Sequence, residues 1–270
     1  MALRIAILNL MPLKEDTEND FLRLLKGVEV VWMRLRTHQP RHTSQQHMDA
    51  LYTYFDELAD KRFDGVIITG APVELLPFEE VTYWQELCRI FDWSRTNARS
   101  AIYICWGAQA ALYHFYAIQK YPLPSKKFGI FTQDIYTPDN ILFKGFADTS
   151  PMPHSRHTEI RTDEVKACKE LTPVMGAETT GVSMIFRLFP DDHRRLPNEI
   201  FITGHMEYNT YTLDTEYRRD KGKRDDVGMP ENYYIDNNPD NPPADTWHES
   251  ALRFYENWIA GLESERRAER

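Results

Sequence analysis

Short apolar runs alternate with longer amphipathic segments through the first half of the chain. RIAILNL, VEVVWMRL, DGVIITG and SAIYIC have the aliphatic density of buried strands. Between them, EDTENDFLRLLKG carries Leu22, Leu24 and Leu25 on a helical face and stops at Gly27, while HMDALYTYFDELADKRF and EEVTYWQELCRIFDWSRTN also read as helices. Strand alternating with helix predicts an α/β protein, a mostly parallel sheet flanked by helices on both faces. In such sheets ligands bind outside the carboxyl ends of the strands, where TGAP (69–72) and CWGAQ (105–109) fall. The second half has a different pattern. FGIFTQDIY, MPHSRHTEIRTDEV, GVSMIFRLFP and NEIFITGHMEY alternate like strands of a mixed or antiparallel region, TLDTEYRRDKGKR reads as a helix, DNNPDNPPADT as a loop and WHESALRFYENWIAGLES as a closing helix. With no internal repeat or low-complexity linker, residues 1–262 are expected to form one domain, and 263–270 a charged, frayed tail.

Composition narrows the function classes. The 270 residues are 42% hydrophobic, enough for a sizeable core. No run approaches the roughly 20 apolar residues of a membrane span. MALRIAILNL reads as a first strand rather than a secretion signal, so no membrane association and a cytoplasmic protein are expected. A formal charge of −9 argues against a nucleic-acid partner. The 3 cysteines, Cys88, Cys105 and Cys168, contain no C-x-x-C pair. Cys88 falls in the apolar pattern of a helix, and Cys168 has no turn or base beside it.

Cys105 is different. It follows the strand AIYI directly and precedes WGAQAAL, whose Gly107 and alanines allow a sharp turn into a helix. A nucleophile elbow is built this way: strained backbone at the top of a sheet, and an N–H from the next residue, here Trp106, for an oxyanion. The TGAP turn offers a second donor. A buried cysteine acting as a small hydrophobe is the competing explanation. A thiol nucleophile needs a base, and the base an orienting group. FITGHMEYN ends a strand with His205 and Glu207 two residues apart, hence on one side, so the carboxylate can hold the imidazole in one tautomer. His154 and His157 in HSRH lack a spaced carboxylate or cysteine that would complete a metal site, and are expected as polar loop residues; no metal is expected.

C-x-G-x-Q at Cys105, Gly107 and Gln109, with the distant H-x-E, resembles the class I glutamine amidotransferase fold (flavodoxin-like) and its Cys-His-Glu triad, although Tyr103 stands where that fold usually has a glycine. A closer resemblance is carried by LNLMPLKEDTENDFLRLL, FDGVIITGAPVELLPFEEVTYW, CWGAQAAL, PHSRHTE and TGHMEYNTYTLDTEYRRD, in order from about Arg4 to Trp258. These segments are similar to the homoserine O-acyltransferase family of methionine biosynthesis, which shares that fold. Relative to the family, the extension that usually precedes the first strand is missing, and Leu13 stands where a second lysine often sits beside Lys14. The expected consequence is in oligomer contacts or substrate scope rather than chemistry.

The resemblance implies ping-pong acyl transfer through an acyl-cysteine on Cys105, with His205 as general base and Glu207 orienting it. It further implies Lys126, Ser155 and Arg219 as substrate-binding residues, with Lys127 and Arg218 as the rivals of the two cations, a homodimer, and no bound cofactor. At Glu74 the family has glycine in succinyl-CoA enzymes and glutamate in acetyl-CoA enzymes. A carboxylate there fills space and repels a succinyl carboxylate, so acetyl-CoA is the expected co-substrate. L-homoserine is the expected acceptor. L-serine is its alternative, which would place the enzyme in cysteine biosynthesis, since one methylene is worth only about 1–3 kcal/mol in a pocket. Homoserine O-succinyltransferase, glutamine amidotransferase and a ligand sensor without turnover are the further alternatives.

Overall fold

The aliphatic runs do lie side by side. A computed structural model describes residues 2–40, 42–188, 195–222 and 228–269. Its first half runs β1 (Arg4–Leu8), α1 (Lys14–Leu24), β2 (Glu29–Arg34), α2 (Gln45–Leu51), β3 (Tyr52–Tyr54), α3 (Phe55–Leu58), β4 (Phe63–Ile68), α4 (Trp84–Asn97), β5 (Ala98–Ile104) and α5 (Trp106–Tyr116). The second half adds β6 (Lys120–Ile135), β7 (Thr149–Ile160), α6 (Thr162–Ala167), β8 (Leu171–Ala177), β9 (Gly181–Arg187), β10 (Glu199–Ile202), α7 (Thr212–Asp220) and α8 (His248–Ala268).

These strands form a single 10-stranded sheet in the order β3-β2-β1-β4-β5-β10-β9-β8-β6-β7. From β3 to β10 every pairing is parallel, and from β10 to β7 every pairing is antiparallel. The parallel strands are covered on both faces. β4 is buried at every position, and β1 and β5 at all but their first one or two. One apolar layer gathers Phe91, Trp84 and Trp106; the other gathers Phe21, Phe254 and Trp258. Trp258 of α8 packs on Gly65, where a Cβ would stand 2.5 Å from the indole, and its Nε1 donates to Ser100 Oγ at 2.9 Å. Truncation of so buried an indole typically costs about 3–5 kcal/mol.

Neighbouring β1, β4, β5 and β10 all end at the same sheet edge. Residues 9–12, 69–74, 105 and 203–207 therefore converge, although they are far apart in the chain. The parallel register explains the convergence: Phe201 lies opposite Tyr103, and Ile102 opposite Ile67.

Three local expectations change. The helix predicted across residues 47–63 is broken by β3, because Tyr52–Tyr54 find backbone partners at Trp32–Arg34 of β2, and tyrosine and threonine suit an edge strand. α7 ends at Asp220, and residues 223–224 of its predicted extent lie outside the described residues. The frayed tail is instead the last turns of α8, through Ala268. An Arg267–Glu263 pair supports it locally, Glu265 meets Arg195 at 3.2 Å, and Arg266 Nη1 donates to Ala2 O at 3.1 Å.

Candidate active site

Cys105 sits between the last residue of β5 and the first of α5, with φ 50° and ψ −117°. This is the left-handed half of backbone space, costly for a side chain with a Cβ and sustained here by its surroundings. Its N–H donates to Ile202 O at 2.7 Å, and its carbonyl accepts the Gln109 N–H at 3.1 Å, so sheet and helix both hold the turn. Gly107 is required by close approach: a Cβ there would lie 2.6 Å from Thr69 O. Gln109 is buried and exchanges hydrogen bonds with Thr158, accepting from Oγ1 at 2.8 Å and donating Nε2 to the carbonyl at 3.2 Å, which ties α5 to β7.

Across the strand ends, His205 and Glu207 are 2% and 4% exposed, with Nδ1 2.7 Å from Oε1. The imidazole lies beside the Cys105 side chain: a Cβ on Gly70 would stand 3.2 Å from Cys105 Cβ and 3.7 Å from His205 Cε1, and both residues line one cleft. Burial alone would lower the His205 pKa, but Cys105 and Glu207 outweigh it and hold the group well above its usual value. Tyr208 stacks on the imidazole with ring centroids 4.0 Å apart and 12° between planes, fixing its tilt. The second oxygen of Glu207 is buried without a hydrogen-bond partner. α1 reaches this turn from behind: Arg23 Nη2 donates to Glu207 O at 3.1 Å, and Asp20 accepts from Asn209 at 2.9 Å.

Cys105 and His205 open into a cleft of about 260 Å³, lined also by Met11, Glu74, Lys126, Ser155, Glu216 and Arg219. The sequence-predicted residues are thus brought together, and their rivals are not. Lys127 turns toward the Phe131 ring at 5.1 Å, and Arg218 pairs with Asp214 at 2.8 Å. Lys14 points inward, with Nζ 2.5 Å from Asn9 O, and burial lowers its pKa to about 8.

Several partners were not anticipated. Glu216 is the hub of one wall: Oε2 meets Lys126 Nζ at 3.1 Å and Ser155 Oγ at 2.5 Å, and Oε1 accepts from Tyr208 Oη at 3.1 Å. It lies three residues before Arg219 on α7, a spacing that puts both on one helix face and is legible in TEYRRD. Arg219 itself is engaged, with Nε and Nη2 both 2.7 Å from the Asp220 carboxylate. The expectation for His154 and His157 is corrected: both lie in strand β7 rather than a loop. His154 is fully buried and held well below its usual pKa by that burial and by Arg156. His157 places Nδ1 2.8 Å from Glu74 Oε1. Among the described residues no group of three or more His, Cys, Asp or Glu could hold a metal ion. None of the described helices is long and apolar enough to cross a membrane.

The family model for homoserine O-succinyltransferase matches residues 1–265. The chain belongs to the homoserine O-acyltransferase family. It is an enzyme family, and homoserine O-acetyltransferases are among its similar members. That of Bacteroides thetaiotaomicron is 47% identical over 261 residues, 95% of this chain and 83% of the relative. That of Geobacillus kaustophilus is 45% identical over 261 residues, 95% of this chain and 84% of the relative. Solved structures of the same fold include a glutamine amidotransferase from Thermotoga maritima, with TM-score 0.62 and 12% identity, covering 100% of both chains. Another from Methylobacillus flagellatus has TM-score 0.61 and 13% identity, covering 97% of this chain and 95% of its own. The class I glutamine amidotransferase-like fold is shared by both; identities this low speak to the fold alone.

Proposed function

We propose that this chain transfers the acetyl group of acetyl-CoA to the side-chain hydroxyl of L-homoserine through an acetyl-cysteine at Cys105. The observation that carries the proposal is the strained Cys105 elbow beside a His205 that Glu207 holds through Nδ1. In the first half-reaction the Cys105 sulfur attacks the thioester carbonyl and its proton passes to His205. The tetrahedral intermediate collapses, the bond to the CoA sulfur breaks, and His205 returns the proton to that leaving thiolate. In the second, homoserine's hydroxyl gives its proton to His205 and attacks the acetyl-cysteine, and the Cys105 sulfur leaves and takes that proton back from His205. The Trp106 N–H, first in α5, is the proposed donor to the developing oxyanion; such a donor contributes roughly 3–4 kcal/mol in acyl transfer.

The acceptor is a zwitterion and needs one cation and one anion. Arg219 takes its carboxylate in exchange for Asp220, and Glu216, already braced by Lys126 and Ser155, faces its ammonium group. Glu74 at the cleft favours acetyl over succinyl donors, and the relatives named O-acetyltransferase support that choice. A cytoplasmic homodimer serving methionine biosynthesis completes the proposal.

The test is CoA-thiol release with acetyl-CoA or succinyl-CoA against L-homoserine or L-serine, with Cys105→Ala as blank and product masses recorded. O-acetylhomoserine formed only by the unaltered chain is the expected result. Preference for succinyl-CoA or for serine overturns the substrate assignment; undiminished turnover by Cys105→Ala overturns the covalent route.

A further inference from the structure

The loop after β4 folds back on itself, with the Val73 N–H donating to Ala71 O at 2.9 Å and the Leu76 N–H to Val73 O at 3.0 Å. Two side chains from the antiparallel half of the sheet reach across to it. Lys120, at the start of β6, sets Nζ 2.5 Å from Glu74 O and 2.7 Å from Leu76 O. His157, in β7, sets Nδ1 2.8 Å from Glu74 Oε1. Backbone and carboxyl of Glu74 are therefore gripped separately, by neighbouring strands. Burial would favour the neutral acid, but the His157 hydrogen bond, the Glu74 backbone N–H and the charge of Lys126 outweigh it and bring the carboxyl below its usual pKa. The group that lines the Cys105 cleft is a carboxylate with a fixed position.

Fixity matters for selection. A loosely held carboxylate swings away from an incoming anion or takes up a proton, and then discriminates weakly; one that is hydrogen-bonded and tethered can do neither without losing those contacts. We propose that His157 and Lys120 are positioning residues for acyl-donor choice, holding the Glu74 carboxylate against the cleft so that donors with a second carboxylate are turned away. This rests on the acetyl-transfer proposal and adds to it the machinery that enforces the donor.

Butyryl and succinyl chains have the same number of carbons and differ in terminal charge, so their ratio separates repulsion from size. The experiment measures kcat/KM of the full chain for acetyl-, butyryl- and succinyl-CoA with homoserine. Glu74→Gln serves as the benchmark for a neutral group of the same shape. His157→Leu and Lys120→Met are each expected to raise the succinyl-to-butyryl ratio about tenfold, in the direction of that benchmark. His157→Asn, which keeps an N–H donor, is expected to restore the unaltered ratio. Each tether comes from a different strand, so a variant that fails to fold, checked by thermal melting, leaves the other to decide. A benchmark that rises while both tether variants keep the unaltered ratio overturns the inference and leaves acetyl transfer standing. A benchmark that does not rise overturns the role of Glu74 as well. Absence of thiol release from any donor by the unaltered chain overturns acyl transfer itself.

Discussion

The two walls of the cleft are built differently. Cys105, residues 69–72 and residues 203–207 extend from the carboxyl ends of adjacent parallel strands that are buried apart from the first two positions of β5. Their geometry is set by backbone: the positive φ of Cys105, and carbonyls that leave room only for glycine at Gly107. Lys126, Ser155, Glu216 and Arg219 come from a long antiparallel hairpin and α7, the first three placed by pairing with one another and Arg219 by pairing with Asp220. Backbone rigidity suits the wall where charge develops, because donors aimed in advance need no reorganisation. Exchangeable ion pairs suit the wall that must take up a zwitterion and release it.

If this contrast is real, changes on the first wall stop acyl-enzyme formation, while changes on the second spare it and weaken acceptor use. The largest effect is expected for Cys105→Ala, with turnover down on the order of 10⁴-fold or more and no acetyl adduct in the intact-protein mass. A stable adduct on that variant would move the nucleophile elsewhere. Glu207→Gln keeps the shape but removes the charge behind the imidazole, so kcat should fall about 10²–10³-fold. The His205 pKa should drop with it, visible in the imidazole resonances; an unmoved resonance would separate Glu207 from the base. Arg219→Ala should leave the burst of thiol from acetyl-CoA alone intact and raise the KM for homoserine about 10–100-fold. Loss of the burst would make the two walls one unit.

The smallest effect concerns what lies behind both walls. Burial, with Glu207 nearby, raises the Asp20 pKa to about 7, although Asn209 and Arg23 oppose the shift. The folded protein therefore holds a proton that the unfolded chain, with its ordinary carboxyl, has released. Stability falls as pH rises from about 4 through 7, and the penalty is complete above that. Asp20→Asn, which can still accept from Asn209, should stabilise the fold by about 1–2 kcal/mol at pH 8 and by less at pH 5, measured by urea unfolding. Equal gains at both pH values would show that Asp20 does not titrate there.

Much of this was open to inspection in the chain. The elbow is a contiguous stretch, and its chemistry follows from a strand, a cysteine and small residues in sequence. His205 and Glu207 are two apart, so their mutual contact is local as well. Other features were hidden because they depend on distant partners. Tyr52–Tyr54 carry helix-compatible neighbours and become a strand only because β2 offers an open edge. His157 reads as an unengaged polar residue in the chain because its partner Glu74 lies 83 positions away, in the loop after β4. The charged final residues looked frayed because Arg195, Arg99 and Ala2, which hold the end of α8, come from elsewhere in the chain.

Periodicity and short-range chemistry thus dictated the α/β layering, the nucleophile turn and the base–carboxylate pair, since each arises among residues within a few positions of one another. Which lysine and which arginine face the cleft, how Glu216 gathers one wall and how Glu74 is held were decided by packing. Those contacts join β6, β7 and α7 to the parallel sheet, and between residues distant in the chain a hydrogen bond or ion pair forms only where the fold has brought both partners within about 3 Å.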